Sequence, residues 1–182
     1  MVVAVASAPN AVGATVTVSA DRRDDTIDIH ASALLNADAA TAWRVLTDYG
    51  RYTDFIPDLR VSRVISRQDA RVVVEQSGDA AVWVFKLPLD ITFEVSEFPP
   101  SRLQSHATAG SLPILDSTYV LSPAGPAVRL EYAGRVNTGY GWFGHIEQSA
   151  VERNIARQFK AMADEIERQD AATRSKAIAE IR

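Results

Sequence analysis

The sequence predicts an α+β fold: a curved antiparallel β-sheet closed on its apolar face by one long C-terminal α-helix, with two short helices after the first strands. Three observations carry this. The stretch AVWVFKLPLDITFEVSEF alternates with period 2, placing Trp83, Phe85, Leu87, Leu89, Ile91, Phe93 and Val95 on one face and Lys86, Pro88, Asp90, Thr92, Glu94 and Ser96 on the other. That is the pattern of a strand with one buried side. Short connections such as Pro123-Ala124-Gly125-Pro126 imply antiparallel pairing. From His145 to Arg182 there is neither glycine nor proline, and Val151, Ile155, Phe159, Met162 and Ile166 recur at helical spacing.

In chain order, Val16 and Val18 alternate on one face, the charged break DRRDD follows, and Ile27, Ile29, Ala31 and Ala33 alternate again, as in a hairpin. NADAATAWRVLTDYG then carries a helix. Asp38 can accept from the first free N–H groups, Ala42, Val45, Leu46 and Tyr49 share a face, and Gly50 is placed to close the helix in the left-handed conformation. Residues 51–56 leave room for one more turn before Pro57. VSRVISRQDARVVVEQSG reads as two short strands around Gln68-Asp69. The long alternating stretch follows as one strand, with a bend or bulge at Pro88, where a ladder donor is missing. Three further strands span 102–109, 115–122 and 127–137. TGYGWFG (138–144) is a glycine-rich aromatic loop. At about 1.5 Å per residue, a helix of ~22 residues would be ~33 Å long, enough to cross the sheet.

The 182 residues suit one domain over 15–168, preceded by a flexible segment or leader remnant (1–14) and followed by a helix extension or frayed tail (169–182). The net charge of -4 and the absence of any basic run longer than pairs such as Arg22-Arg23 argue against a nucleic-acid partner. With no cysteine there is no disulfide, thiol nucleophile or thiolate metal site. No run reaches the ~20 apolar residues of a membrane span; transient contact with a membrane surface is compatible with that. MVVAVASAPNAVGA lacks a positive n-region, so the expectation is a cytoplasmic protein. Ala6-Ser7-Ala8 has the form of a cleavage site, which keeps export to a periplasmic or external compartment as the alternative. His30, His106 and His145 have no metal-ligand spacing, and neither a P-loop, GxSxG nor a dinucleotide fingerprint occurs. No metal, cofactor or catalytic residue is expected. Acidic residues such as Asp90, Glu94 and Glu131 alternate outward, as a solvated face requires.

The stretch ASALLNADAATAWRVLTDYGRYTDFIPDLRVSRVISR, the long strand with its following Pro-Pro, and the helix VERNIARQFKAMADEIER resemble the START-like helix-grip (SRPBCC) superfamily over residues 26–168. The D-Y-x-x-Y-x-x-F-[IL]-P pattern is similar to its polyketide cyclase/dehydrase and coenzyme Q-binding branch. The resemblance implies that sheet and helix enclose a tunnel for a hydrophobic molecule such as a lipid, quinone, sterol or polyketide.

On that footing Trp83, Phe85, Leu87 and Phe93 are candidate cavity walls as well as core, and Ile155, Phe159 and Met162 are their counterparts on the helix. Tyr119, Tyr132 and Gln76 share the parity of apolar neighbours, so each is a candidate polar group inside; a backbone carbonyl or a ligand oxygen would serve as partner. Phe55 and Ile56, together with the loop aromatics Tyr140, Trp142 and Phe143, are candidates for the mouth. The expected function is non-catalytic binding or transport of a hydrophobic small molecule. An aromatase/cyclase/dehydratase using a tyrosine or arginine is the alternative, although parity points Arg135 outward and no general base stands out. A protein-interaction module is the weaker alternative. The sequence leaves the oligomeric state open.

Overall fold

A computed structural model describes residues 14–82, 85–112, 114–137 and 148–180, with the backbone alone at 80–82 and 85–87. Eight strands, β1 (Val16–Arg23), β2 (Thr26–Leu35), β3 (Leu59–Gln68), β4 (Arg71–Val82), β5 (Phe85–Phe98), β6 (Arg102–Gly110), β7 (Ile114–Ala124) and β8 (Ala127–Asn137), form one curved antiparallel sheet in the order β1-β2-β8-β7-β6-β5-β4-β3. Helix α1 (Ala39–Thr47) and a 3-10 turn (Tyr49–Asp54) join β2 to β3, and helix α2 (Gln148–Glu180) follows β8. The chain thus visits both edges of the sheet before filling its middle.

Alternation sets which residues face inward. In β8, Val128, Leu130, Tyr132 and Val136 are buried while Arg129, Glu131 and Arg135 are exposed. One inner row runs Val72, Val95, Ser105, Ser117, Gly134 and Ile29 across six strands. Its neighbour carries Leu103, Tyr119, Tyr132 and Ala31. The outer face is ionic, with Arg135 Nε donating to Asp28 at 2.8 Å and His106 meeting Asp116 at 2.5 Å. His30 is exposed there too, and His145 lies outside the described residues.

Helix α1 begins where its cap predicts: Asp38 Oδ1 accepts from Thr41 N at 2.6 Å. Its end differs from the sequence reading. The cap is Asp48, in neither helical nor left-handed geometry, and Gly50 lies within the 3-10 turn that follows directly. Gly50 is therefore no left-handed terminator; the tighter turn absorbs the change of direction.

The alternating stretch 81–98 is also corrected. It is not one strand: the chain reverses between β4 and β5, with Val82 opposite Phe85. Trp83 and Val84, between the two strands in sequence, are not residue types that favour a turn, so the alternation runs on unmarked in the sequence. Pro88 makes no bulge with β4, where Asp79↔Pro88 lies in unbroken register. The β6 ladder starts only at Ile91, so the missing Pro88 donor falls outside it, and the bulge lies at Thr92/Phe93.

Helix α2 is 33 residues long, ~50 Å at 1.5 Å per residue, rather than ~22 residues. It has three parts. From Phe159 to Asp170 it is packed: Phe159, Met162, Ala163, Ile166 and Asp170 are buried. Glu167 Oε1 accepts from Asn36 N at 2.8 Å and Asp170 Oδ1 from Asp38 N at 3.0 Å, which ties this part to the start of α1. From 151 to 158 no residue is buried, and from 171 to 180 every residue is exposed. Among the described residues, no helix is long and apolar enough to cross a membrane.

Candidate functional site

Between the inner sheet face and the 150–162 part of α2 lies a cavity of about 300 Å³, the lower end of the range for small-molecule sites. Curvature makes the space, and small residues deepen it. Ser105 and Ser117 border the centre of the floor, where larger side chains would fill the hollow, and Gly134 continues their row beneath the Tyr132 ring. Gly134 cannot be anything else without rearrangement: a Cβ there would lie 2.7 Å from Cζ of Tyr132, whose ring lies over it. The Tyr132 ring packs against Tyr119 at 4.9 Å between centroids and against Phe159 at 6.4 Å.

Of the sequence-predicted residues, Ile56, Gln76, Phe93, Tyr119, Tyr132, Ile155, Phe159 and Met162 all border this space. Phe55 does not border it. It stacks edge-on against Tyr52 at 5.7 Å, and Tyr52, one turn earlier, takes the wall position. The three-residue repeat of the 3-10 turn puts Tyr49 and Tyr52 on the same side, and the turn ends at Asp54, so Phe55, at φ -139, leaves that line. Trp83, Tyr140, Trp142 and Phe143 lie outside the described residues, as do the side chains of Phe85 and Leu87.

The polar groups divide into three sets. On the β3 side, Gln76 Nε2 donates to Ser62 Oγ at 3.2 Å and Ser62 Oγ donates to the Tyr49 carbonyl at 2.6 Å, while Tyr52 Oη donates to the Leu46 carbonyl at 2.6 Å. Behind Tyr49, its hydroxyl donates to Glu97 Oε1 at 3.0 Å, and Arg67 Nη1 reaches both Glu97 oxygens at 3.0 and 2.9 Å. On the floor, the Ser105 and Ser117 hydroxyls are 2.7 Å apart, and Ser117 faces Tyr132 across the cavity floor. Among the described residues the Tyr119 hydroxyl has no hydrogen-bond partner, and the residue borders the cavity.

Burial pushes all four of these phenols upward: Tyr132 to about 12, with the Ser117 side chain offsetting part of the rise, and Tyr49, Tyr52 and Tyr119 further. Near neutral pH they are hydrogen-bond donors and acceptors, not bases. The carboxylates at the rim are engaged as ion pairs, Asp58 with Arg157 and Asp79 with Arg60. No group of three or more metal-ligating side chains is found among the described residues.

Sequence reasoning missed two features. Glu97 was legible, because it shares the parity of Ile91, Phe93 and Val95 and so faces inward, where a carboxylate needs a partner. The Asp58–Arg157 pair, which joins the turn before β3 to α2, has no signature in either segment.

An open, curved antiparallel sheet gripping a long C-terminal helix over an apolar cavity defines a START-like helix-grip protein. Residues 26–168 match the family described as "Polyketide cyclase / dehydrase and lipid transport", and the chain belongs to it. No curated protein matches the chain. Among solved structures it is similar to the Zhui aromatase/cyclase of Streptomyces sp. R1128 (15% identity, TM-score 0.69, covering 79% of this chain and 95% of that one). It is also similar to a STAR-related lipid transfer protein of Xanthomonas axonopodis (16%, 0.67, 87% and 96%). A third is the protein TTHA0849 of Thermus thermophilus (15%, 0.67, 80% and 98%). At these identities the likeness concerns the fold.

Proposed function

We propose that this chain is a non-catalytic binding or carrier protein that encloses one hydrophobic small molecule, lipid-, quinone- or polyketide-like, between the sheet and α2. Apolar contact with Ile56, Phe93, Ile155, Phe159 and Met162 supplies the affinity. The Tyr119 hydroxyl supplies the orientation by hydrogen-bonding an oxygen of the ligand. The observation that carries this reading is that unpartnered hydroxyl on an apolar wall. A hydroxyl with no protein partner at the cavity wall is free to bond a ligand oxygen. Two facts support binding over proton abstraction: the cavity phenols are shifted away from the neutral range, and the rim carboxylates Asp58 and Asp79 are neutralised by arginines.

Native mass spectrometry of gently purified protein should show an added small-molecule mass that is released on denaturation. Tyr119→Phe should weaken binding of that molecule about three- to tenfold, the worth of one hydrogen bond, while thermal stability stays equal or rises. A bare-chain mass together with no uptake of added hydrophobic ligands would sink the reading. Turnover of a poly-β-keto substrate that is lost in Tyr119→Phe with uptake retained would replace it by the cyclase alternative.

A further inference from the structure

We infer that the 148–158 half of α2 is a hinged arm over the cavity, and that the Asp58–Arg157 ion pair is the latch that holds it shut. The device rests on the enclosure reading for its purpose, though its mechanics do not.

The two halves of the helix are held by different means. Beyond residue 158 the inward side chains are buried, and Glu167 and Asp170 take backbone N–H groups from the loop before α1. Moving this half would break packing and polar anchors together. Before residue 159 the inward side chains Val151, Asn154, Ile155 and Gln158 are only partly buried and border the cavity, with Ala150 buried and Val151 and Ile155 touching the core at their edges. Packing holds this half less tightly than the other, so polar contacts carry more of its position. At its start, Gln148 bonds to β1, donating to the Ala20 carbonyl and accepting from Arg22 N at 3.3 Å. Close to the hinge the contact is Arg157, whose guanidinium pairs with Asp58 and donates to Asn154 Oδ1 at 3.0 Å.

The other jaw of the latch is fixed. Asp58 sits at φ 63, and its carbonyl accepts from Asp79 N at 2.9 Å. Gly78 permits this approach: a Cβ at that position would collide with the Asp58 carbonyl and come within 3.1 Å of Leu59 Cα. The turn is thereby clamped to β4, so when the ion pair opens it is the helix that moves. Ile56, Asp58 and Leu59 border the cavity on the turn side and Asn154, Ile155 and Gln158 on the helix side, so parting the pair opens the space between them.

Hydrogen–deuterium exchange on the full chain and on Asp58→Asn, Arg157→Gln and the double variant tests the latch. Asparagine tolerates the positive φ, so the turn is preserved. Each single variant should speed exchange in 148–158 about two- to fivefold, the worth of a partly exposed ion pair, with 159–170 unchanged, and the double variant should be no faster than the singles. Release of the neutral fluorescent probe N-phenyl-naphthylamine should accelerate by the same factor, and release from the unmodified protein should quicken with added salt. Unchanged exchange in 148–158, or a rise spread evenly over both halves, would overturn the latch. If the unmodified protein takes up no probe while exchange divides as described, the enclosure reading falls and the hinge stands. Probe uptake with an even rise in exchange removes the hinge and leaves enclosure intact.

Discussion

Glu97 shows how much one side chain can hold. It is almost fully buried, and its carboxylate gathers the Tyr49 hydroxyl from the 3-10 turn and the Arg67 guanidinium from β3. Replacing it with alanine strands both partners, so Glu97→Ala should cost about 2–4 kcal/mol in denaturant unfolding. The residue was legible as an inward position on β5, and what hid it was reading the apolar stripe as ending at Val95. Its partners were not legible, since Arg67 and Tyr49 reach it from elements that only the fold brings together. The four buried tyrosines give a pH signature. Their ionisation is raised in the folded state, so the stability they contribute is complete below the ordinary phenol value near 10 and is lost as the pH climbs through the folded values. Around pH 10 the folded chain should show well under half the phenolate absorbance of the unfolded chain, and alkaline unfolding should release the rest in one cooperative step.

At the scale of elements, the long helix is the informative case. Its apolar spacing was plain in the sequence, and so was its role as the cover of the sheet. Its division into packed, spanning and projecting parts was not, because Ile155 and Ile166 look alike in a periodic pattern although one borders a void and the other a core. The polar anchors decide where the packed part ends. Asp170 accepts from Asp38 N and pairs with Arg174 at 2.5 Å while being only 1% exposed. Asp170→Ala should therefore destabilise the protein by about 2 kcal/mol, with faster amide exchange at the start of α1 as its mark. The hairpin between β4 and β5 makes the complementary point: alternation reports which face is buried, not which way the chain runs, and without a glycine, asparagine or proline the reversal leaves no trace.

For the whole molecule, the order of elements and the antiparallel sheet were readable from patterns of two and 3.6 residues, because those periods are imposed by burial on one side. The cavity was not readable, since a side chain facing a void and one facing a neighbour obey the same alternation. The exposed end of α2 belongs at this scale too. Removing residues 175–182 leaves every anchor named above in place, so the melting temperature should move by no more than a degree or two, and a larger fall would mean that this end is held by contacts beyond those described. The pairing of Tyr132 with Gly134 has a different kind of consequence. The ring occupies the volume that a side chain at 134 would need, so a larger residue at 134 requires the Tyr132 ring to swing aside or to be replaced by a smaller one. Among relatives of this chain, a side chain at position 134 should be accompanied by a smaller residue at 132, and the floor of the cavity would then be shaped from the neighbouring position with its hydroxyl lost.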